Sequence, residues 1–106
     1  MVRDRPYYSL KKVKALVEKN IFINRRARFT AKEDFGWDNK EIKRALLRLQ
    51  PKDFYKRAPK YDNPAIYVDY YKAWNLFSEE VYIHFRIEKD EAGEDCLIIC
   101  SFKRIL

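Results

Sequence analysis

Towards the end of the chain, Val81, Ile83, Phe85 and Ile87 alternate strictly with Tyr82, His84 and Arg86. Apolar and polar positions at period two predict a half-buried strand. An acidic run, residues 88–95, holds Gly93 and separates it from Cys96-Leu97-Ile98-Ile99-Cys100-Ser101-Phe102-Lys103, which is rich in strand-forming types. Together they predict an antiparallel hairpin. With the turn centred on Ala92-Gly93, Ile83 faces Phe102, Phe85 faces Cys100 and Ile87 faces Ile98 on one apolar face. The other face then pairs Tyr82 with Lys103, His84 with Ser101 and Arg86 with Ile99. A slip of one residue would bury polar side chains, so burial selects this register.

Upstream the period is helical. Ser9 is placed to cap a helix in which Leu10, Val13, Leu16 and Val17 form one apolar stripe, with Asn20 as its stop. Ile21-Phe22-Ile23 is long enough only for an edge strand or a loop anchored in the core. Asn24-Arg25-Arg26-Ala27-Arg28 is the densest basic cluster and reads as a flexible arginine-rich loop, suited to a polyanion or an acidic protein. Thr30 and Glu33 have the spacing of a capping box, and Gly36 limits any helix there to one or two turns. Asp38 with Glu41 offers a second capping box ahead of Ile42, Ala45, Leu46 and Leu49; Pro51 ends that helix. Lys40, Arg44 and Arg48 form a basic stripe on its outer side, mildly unfavourable unless something acidic meets it.

From Asp53 onward strand periodicity takes over. Phe54-Tyr55-Lys56-Arg57 and Ile66-Tyr67-Val68-Asp69-Tyr70-Tyr71 read as strands, residues 58–64 as a turn-rich connection and residues 74–78 as another. Helices followed by strands predict an α+β domain: two N-terminal helices packed on one face of a small antiparallel sheet, in one domain over residues 1–106. The opposite face of that sheet is left at least partly free.

Composition narrows the function classes. A hydrophobic content of 47% with 16% aromatics predicts a packed globule, and two glycines and four prolines leave little room for linkers. No apolar run reaches the roughly 18 residues of a membrane-spanning helix. The first six residues lack the apolar core of a signal peptide, so the expected location is the cytoplasm. Cys96 and Cys100 lie about 13 Å apart in one strand, too far for a disulfide; by parity both point inward as small core hydrophobes. One His and two Cys exclude the usual multi-histidine metal sites, and neither metal nor cofactor is expected. The net charge of +7 is uneven: residues 1–60 hold 18 basic against 7 acidic side chains, residues 61–106 hold 5 against 9. Such asymmetry suits nucleic acid as a partner.

The free face of the sheet collects Lys56, Tyr82, His84, Arg86 and Lys103, with Tyr55, Tyr67 and Tyr71 nearby. Cations interleaved with aromatics suit single-stranded nucleic acid, the cations taking phosphates and the rings stacking on bases. The same set can cleave RNA without a metal: a base deprotonates the 2′-OH, cations stabilise charge at phosphorus and an acid protonates the leaving 5′-oxygen. A Gly-rich phosphate loop and a G-x-S-x-G elbow are both absent.

Several segments resemble the MqsR family of toxin–antitoxin toxins, which are RelE-like mRNA interferases. They are Ser9-Leu10 with Val13-Lys14, Asp53-Phe54-Tyr55-Lys56 followed by Tyr61, Ile66 with Asp69 and Tyr71, Val81-Tyr82-Ile83, and Ser101-Phe102-Lys103. The resemblance implies a cytoplasmic endoribonuclease that cleaves mRNA at short sites and is neutralised by an antitoxin, usually a zinc-binding protein with a helix-turn-helix domain. It reaches operator DNA only through that antitoxin and has no membrane partner. Carried over residue by residue, the resemblance places Lys56, Tyr82 and Lys103 at the catalytic positions, and Tyr55, Arg57, His84 and Arg86 are expected to bind RNA around them. One position departs: the family's best-known member has a catalytic glutamine where this chain has Val68, which cannot hydrogen-bond through its side chain. His84 stands where that member has a lysine. A non-catalytic nucleic-acid-binding protein, or a degenerate toxin retaining antitoxin and operator binding, is the alternative that Val68 motivates.

Overall fold

The structure, a computed structural model, describes residues 5–106; Met1, Val2, Arg3 and Asp4, part of the segment weighed as a signal peptide, lie outside the described residues. Its elements run α1 (Leu10–Lys19), β1 (Ile21–Ile23), α2 (Arg25–Phe35), α3 (Asn39–Leu47), a single 3-10 turn (Pro51–Asp53), β2 (Phe54–Lys60), β3 (Asn63–Leu76), β4 (Glu79–Lys89) and β5 (Asp95–Arg104). The α+β class holds, with helices first and the sheet after them. The sheet has five strands in the order β1-β5-β4-β3-β2, and the β1–β5 pair is parallel, so the sheet is mixed.

The helix caps follow from the sequence. Ser9 Oγ accepts from Lys12 N at 3.2 Å, and Asp38 with Glu41 forms the reciprocal box that starts α3. The arginine-rich segment, expected as a loop, is instead the first turn of a third helix, α2, capped by Asn24 whose side chain accepts from Ala27 N at 2.8 Å. Because it starts at Arg25, the helix runs 11 residues instead of one or two turns, and Gly36 ends it with the left-handed φ of 74° that glycine adopts most cheaply. Thr30 is therefore mid-helix and caps nothing; its hydroxyl donates to Phe102 O at 2.7 Å and ties α2 to β5.

Residues 58–60 belong to β2, and Trp74, Asn75 and Leu76 to β3, so the connections expected there are short turns. Long β3 pairs with β2 from Asn63 to Tyr71 and with β4 from Asp69 to Leu76, so both its edges are paired only over residues 69–71. The β3–β4 turn places Phe77 and Ser78 at φ 53° and 66°, the paired positive dihedrals that match strand twist in a tight hairpin.

All three helices pack on one side of the sheet. Val13, Leu16 and Val17 of α1, Ala27 and Ala31 of α2, and Ile42, Ala45 and Leu46 of α3 share a core with Tyr71, Ala73, Val81, Ile83, Phe85, Leu97, Ile99 and Phe102. The β4–β5 hairpin keeps the expected pairs Ile83–Phe102, Tyr82–Lys103 and His84–Ser101. Beyond them it slips: Phe85 pairs with Ile99, Arg86 with Ile98 and Ile87 with Leu97, because a bulge at Cys100 adds one residue to β5. The gain is in apolar bulk. Leu97 and Ile99 enter the core, each fully buried, in place of Ile98 and Cys100. Helix α2 supports the bulge, since Asn24 Nδ2 donates to Cys100 O at 3.1 Å. Cys96 and Cys100 are thus half-buried free thiols rather than core residues, and Cys100 turns to the polar face. Among the described residues no helix is long and apolar enough to cross a membrane.

Candidate active site

On the face away from the helices, register alone lines up two rows of side chains. Lys56 of β2, Tyr70 of β3, His84 of β4 and Ser101 of β5 are cross-strand neighbours. The adjacent row is Lys72 of β3, Tyr82 of β4 and Lys103 of β5. Rows two residues apart along a strand are separated by roughly 7 Å, so seven side chains converge on a small patch. Lys56, Tyr82 and Lys103, expected at the catalytic positions, all lie in it.

The rings form the centre and the ammonium groups the flanks. Tyr70 and Tyr82 have centroids 6.4 Å apart, and His84 meets them edge-on at 4.8 and 5.7 Å. Lys56 Nζ sits 4.9 Å from the Tyr70 centroid and Lys103 Nζ 5.4 Å from that of Tyr82. These are cation–π contacts that hold both lysines over the rings. Tyr55 reaches the patch through an irregularity of β2: Phe54 opposes Tyr71 in the core while Lys56 opposes Tyr70, so Tyr55 is the extra residue.

Burial sets the protonation states. The Tyr82 phenol is pushed above its ordinary range, first by desolvation and then by the neighbouring phenols Tyr70 and Tyr55. Desolvation, with a smaller part from Cys100, raises Tyr70 too. Both therefore carry their protons at neutral pH. His84 moves the other way, down to about 4, because burial and then Lys103, Arg86 and Lys56 oppose a further positive charge. Its Nδ1 is buried without a hydrogen-bond partner, so a neutral imidazole waits beside three cations.

That state has a measurable consequence. Since the folded pKa lies below the usual 6.5, the unfolded chain takes up the proton first. The contribution of His84 to stability is complete above 6.5 and is lost as pH falls through 4. About 1–3 kcal/mol is expected, towards the lower end because the ring is partly exposed. As the chain has a single histidine, its ring C–H resonance can be followed by NMR without assignment. A midpoint near 4 is expected, and one above 6 would contradict the buried neutral ring.

The remaining expected RNA-binding residues divide. Arg86 lies on this face but is already engaged, with Nε donating to Glu88 and Nη1 to Cys100 Sγ at 2.9 Å. Arg57 points to the other face: it opposes Asp69, and its guanidinium lies 5.7 Å from the Tyr67 ring. Tyr67 and Tyr71 are not on the patch either. Tyr67 stacks on Tyr7 at 4.6 Å and Tyr71 is fully buried in the core. Sequence reasoning missed Tyr70 and Lys72. The signal was parity, hidden because Asp69, although charged, is fully buried and so shares the core-facing side with Tyr67 and Tyr71. Val68 is on the polar-face parity, opposite Ala58 and 6% exposed.

No cluster of three or more potential metal ligands occurs among the described residues. Comparison with known families matches residues 5–104 to the family described as motility quorum-sensing regulator, toxin of MqsA. The chain belongs to the MqsR toxin family. It is thus a toxin of a toxin–antitoxin system, and the family description names MqsA as the antitoxin partner. No curated protein matches the chain. Within this family member, the residues of the resemblance divide between patch and scaffold. Lys56, Tyr82 and Lys103 lie on the polar face, whereas Asp69 and Tyr71 are fully buried.

Proposed function

We propose that this toxin is a metal-independent endoribonuclease that cleaves mRNA by transphosphorylation at the Lys56–Tyr82–Lys103 patch. The carrying observation is the pair of lysines flanking a Tyr70–Tyr82–His84 cluster in which the phenols are protonated and the imidazole is neutral. A phosphate lying over the rings would meet Lys56 on one flank and Lys103 on the other, and positive charge fixed in place is worth most where negative charge grows in the transition state.

In this reading His84 accepts the 2′-OH proton. Burial first, and then the three cations, hold the imidazole pKa down; a bound phosphate offsets the cations' share and so favours proton uptake by the ring. The 2′-oxygen bonds to phosphorus, the bond from phosphorus to the 5′-oxygen breaks, and Tyr82 supplies the proton to that leaving oxygen. The products are a 2′,3′-cyclic phosphate and a 5′-hydroxyl. Val68 offers no polar group, and neighbouring Tyr70 supplies the hydroxyl on that strand.

The cytoplasm, with mRNA as substrate and a zinc-binding, helix-turn-helix antitoxin reaching operator DNA, completes the proposal and rests on the family. The test is to incubate purified toxin with mRNA in EDTA and analyse the ends. Metal-independent cleavage leaving cyclic phosphate supports the reading. Tight RNA binding without cleavage would instead favour the degenerate toxin that Val68 motivates.

A further inference from the structure

Lys72 has no part in that chemistry, yet its surroundings are those of a ligand subsite. It lies directly across β3–β4 from Tyr82. Its ammonium group stands 4.1 Å from the centroid of the Tyr55 ring, a shorter approach than that of Lys56 to the same ring at 5.6 Å. Lys72 makes no ion pair among those found between the described residues. Tyr55 stays 45% exposed although it belongs to a strand. The extra residue in β2 is what turns it towards Lys72. Beside them, Lys72, Tyr82 and Lys103 line a depression of about 280 Å³ that continues over Ile105 and Leu106.

We infer that Lys72 and Tyr55 form a nucleotide subsite next to the cleavage patch, in which an unpaired base stacks on Tyr55 and Lys72 holds the flanking phosphate of single-stranded RNA. The inference rests on the endoribonuclease reading for its substrate class; it adds Lys72 and gives Tyr55 a stacking role, both binding without taking part in bond cleavage. A solvent-exposed ring with an unpaired ammonium group at its face is the combination that single-stranded nucleic acid uses, since every base has a π-face and every nucleotide a phosphate. A duplex fits less well, because its bases are already stacked and cannot reach a ring at strand level. Lys72 shares its cross-strand row with Tyr82 and Lys103, and Tyr55 lies on the β2 side of that row, so the subsite takes a nucleotide adjoining the scissile phosphate rather than the phosphate itself.

The probe is a 12-nucleotide 2′-fluoro oligonucleotide of mixed sequence, which lacks the 2′-OH and stays intact. Its affinity is measured against salt for the wild-type protein, Lys72→Ala, Tyr55→Ala and, as a control on the helical layer, Lys43→Ala, with thermal melting to confirm that each variant is folded. Tyr55→Ala should weaken binding roughly 5- to 100-fold without changing the salt slope, the range for one base–aromatic stack. Lys72→Ala should lower the slope of log affinity against log salt by about 0.7, the value of one phosphate contact on a single strand. Lys43→Ala should change neither. With cleavable RNA, both subsite variants should raise KM more than they lower kcat. Wild-type slope and affinity in folded Lys72→Ala and Tyr55→Ala overturn the subsite, even if the protein cleaves RNA. The expected losses in a protein that cleaves no RNA leave the subsite standing and remove the nuclease reading.

Discussion

Lys56→Ala combined with Lys103→Ala is expected to lower mRNA cleavage by at least about a thousandfold while the protein remains folded. Each ammonium group flanks the ring cluster, and loss of one preorganised charge or donor at a transition state costs roughly 10²–10³ in rate. Groups that act together on one phosphate are not additive, so the double variant should fall short of the product of the single losses. Neither lysine is a core residue. Lys56 is exposed, Lys103 is half-buried, and their contacts are to the Tyr70 and Tyr82 rings. Melting temperature should therefore change little. Single-turnover cleavage in EDTA checks the rate and circular dichroism the fold. Full activity in the folded double variant would remove both lysines from the site. Lys103→Arg is the informative companion: it keeps the charge but replaces a compact ammonium by a planar fork, so partial activity would show that charge, more than geometry, is what the position supplies.

Much of this patch was legible in the sequence, for a reason that also explains the misses. The β4–β5 hairpin carries a clean period-two pattern near its open end, and the register of Tyr82 with Lys103 and of His84 with Ser101 follows from it directly. The pattern fails at Cys100 because a bulge leaves no periodic trace: Cys96, Ile98 and Cys100 fit the apolar face as well by type as Leu97 and Ile99 do. Volume decides between them, and volume is a property of the assembled core. The same limit hid Tyr70 and Lys72. In β3 the acidic residue, Asp69, lies on the buried face, so its polarity pointed the wrong way. Helix α2 was obscured by composition. Three arginines within four residues read as an exposed loop, and only the packing of Ala27 and Ala31 against β5, with Thr30 bonded to Phe102 O, reveals an amphipathic helix whose buried stripe is made of small residues.

The buried charge in β3 yields the second large effect: Asp69→Ala is expected to cost about 2–4 kcal/mol of stability, lowering the melting temperature by roughly 10–25 °C. Asp69 has no exposed surface, and its two carboxylate oxygens each accept a backbone amide at 2.9 Å, from Tyr7 and Tyr8. With the Tyr8 hydroxyl donating to Tyr67 O at 2.7 Å, the carboxylate fixes the segment that leads into α1. Alanine would leave both amides without that acceptor, the costly half of any buried hydrogen-bond deletion. Some of the loss is offset, because burial raises the Asp69 carboxyl above its usual range despite the two amides that favour its charge. The sign follows from that direction. A folded-state pKa above the unfolded value means that the contribution from protonation is present at low pH and is lost as pH rises through the folded value. Asp69→Asn, which keeps one acceptor and does not titrate, should therefore cost less than alanine at neutral pH and lack this acid-range dependence. Urea unfolding of the three proteins across the acid range measures both effects. Asp69 is also part of the sequence resemblance to the family, so the experiment separates two reasons for its presence. If Asp69→Ala kept its stability and lost cleavage, the carboxylate would belong to the chemistry. Its placement on the helix side of β3, away from Lys56 and Tyr82, assigns it to holding the N-terminal segment on the sheet.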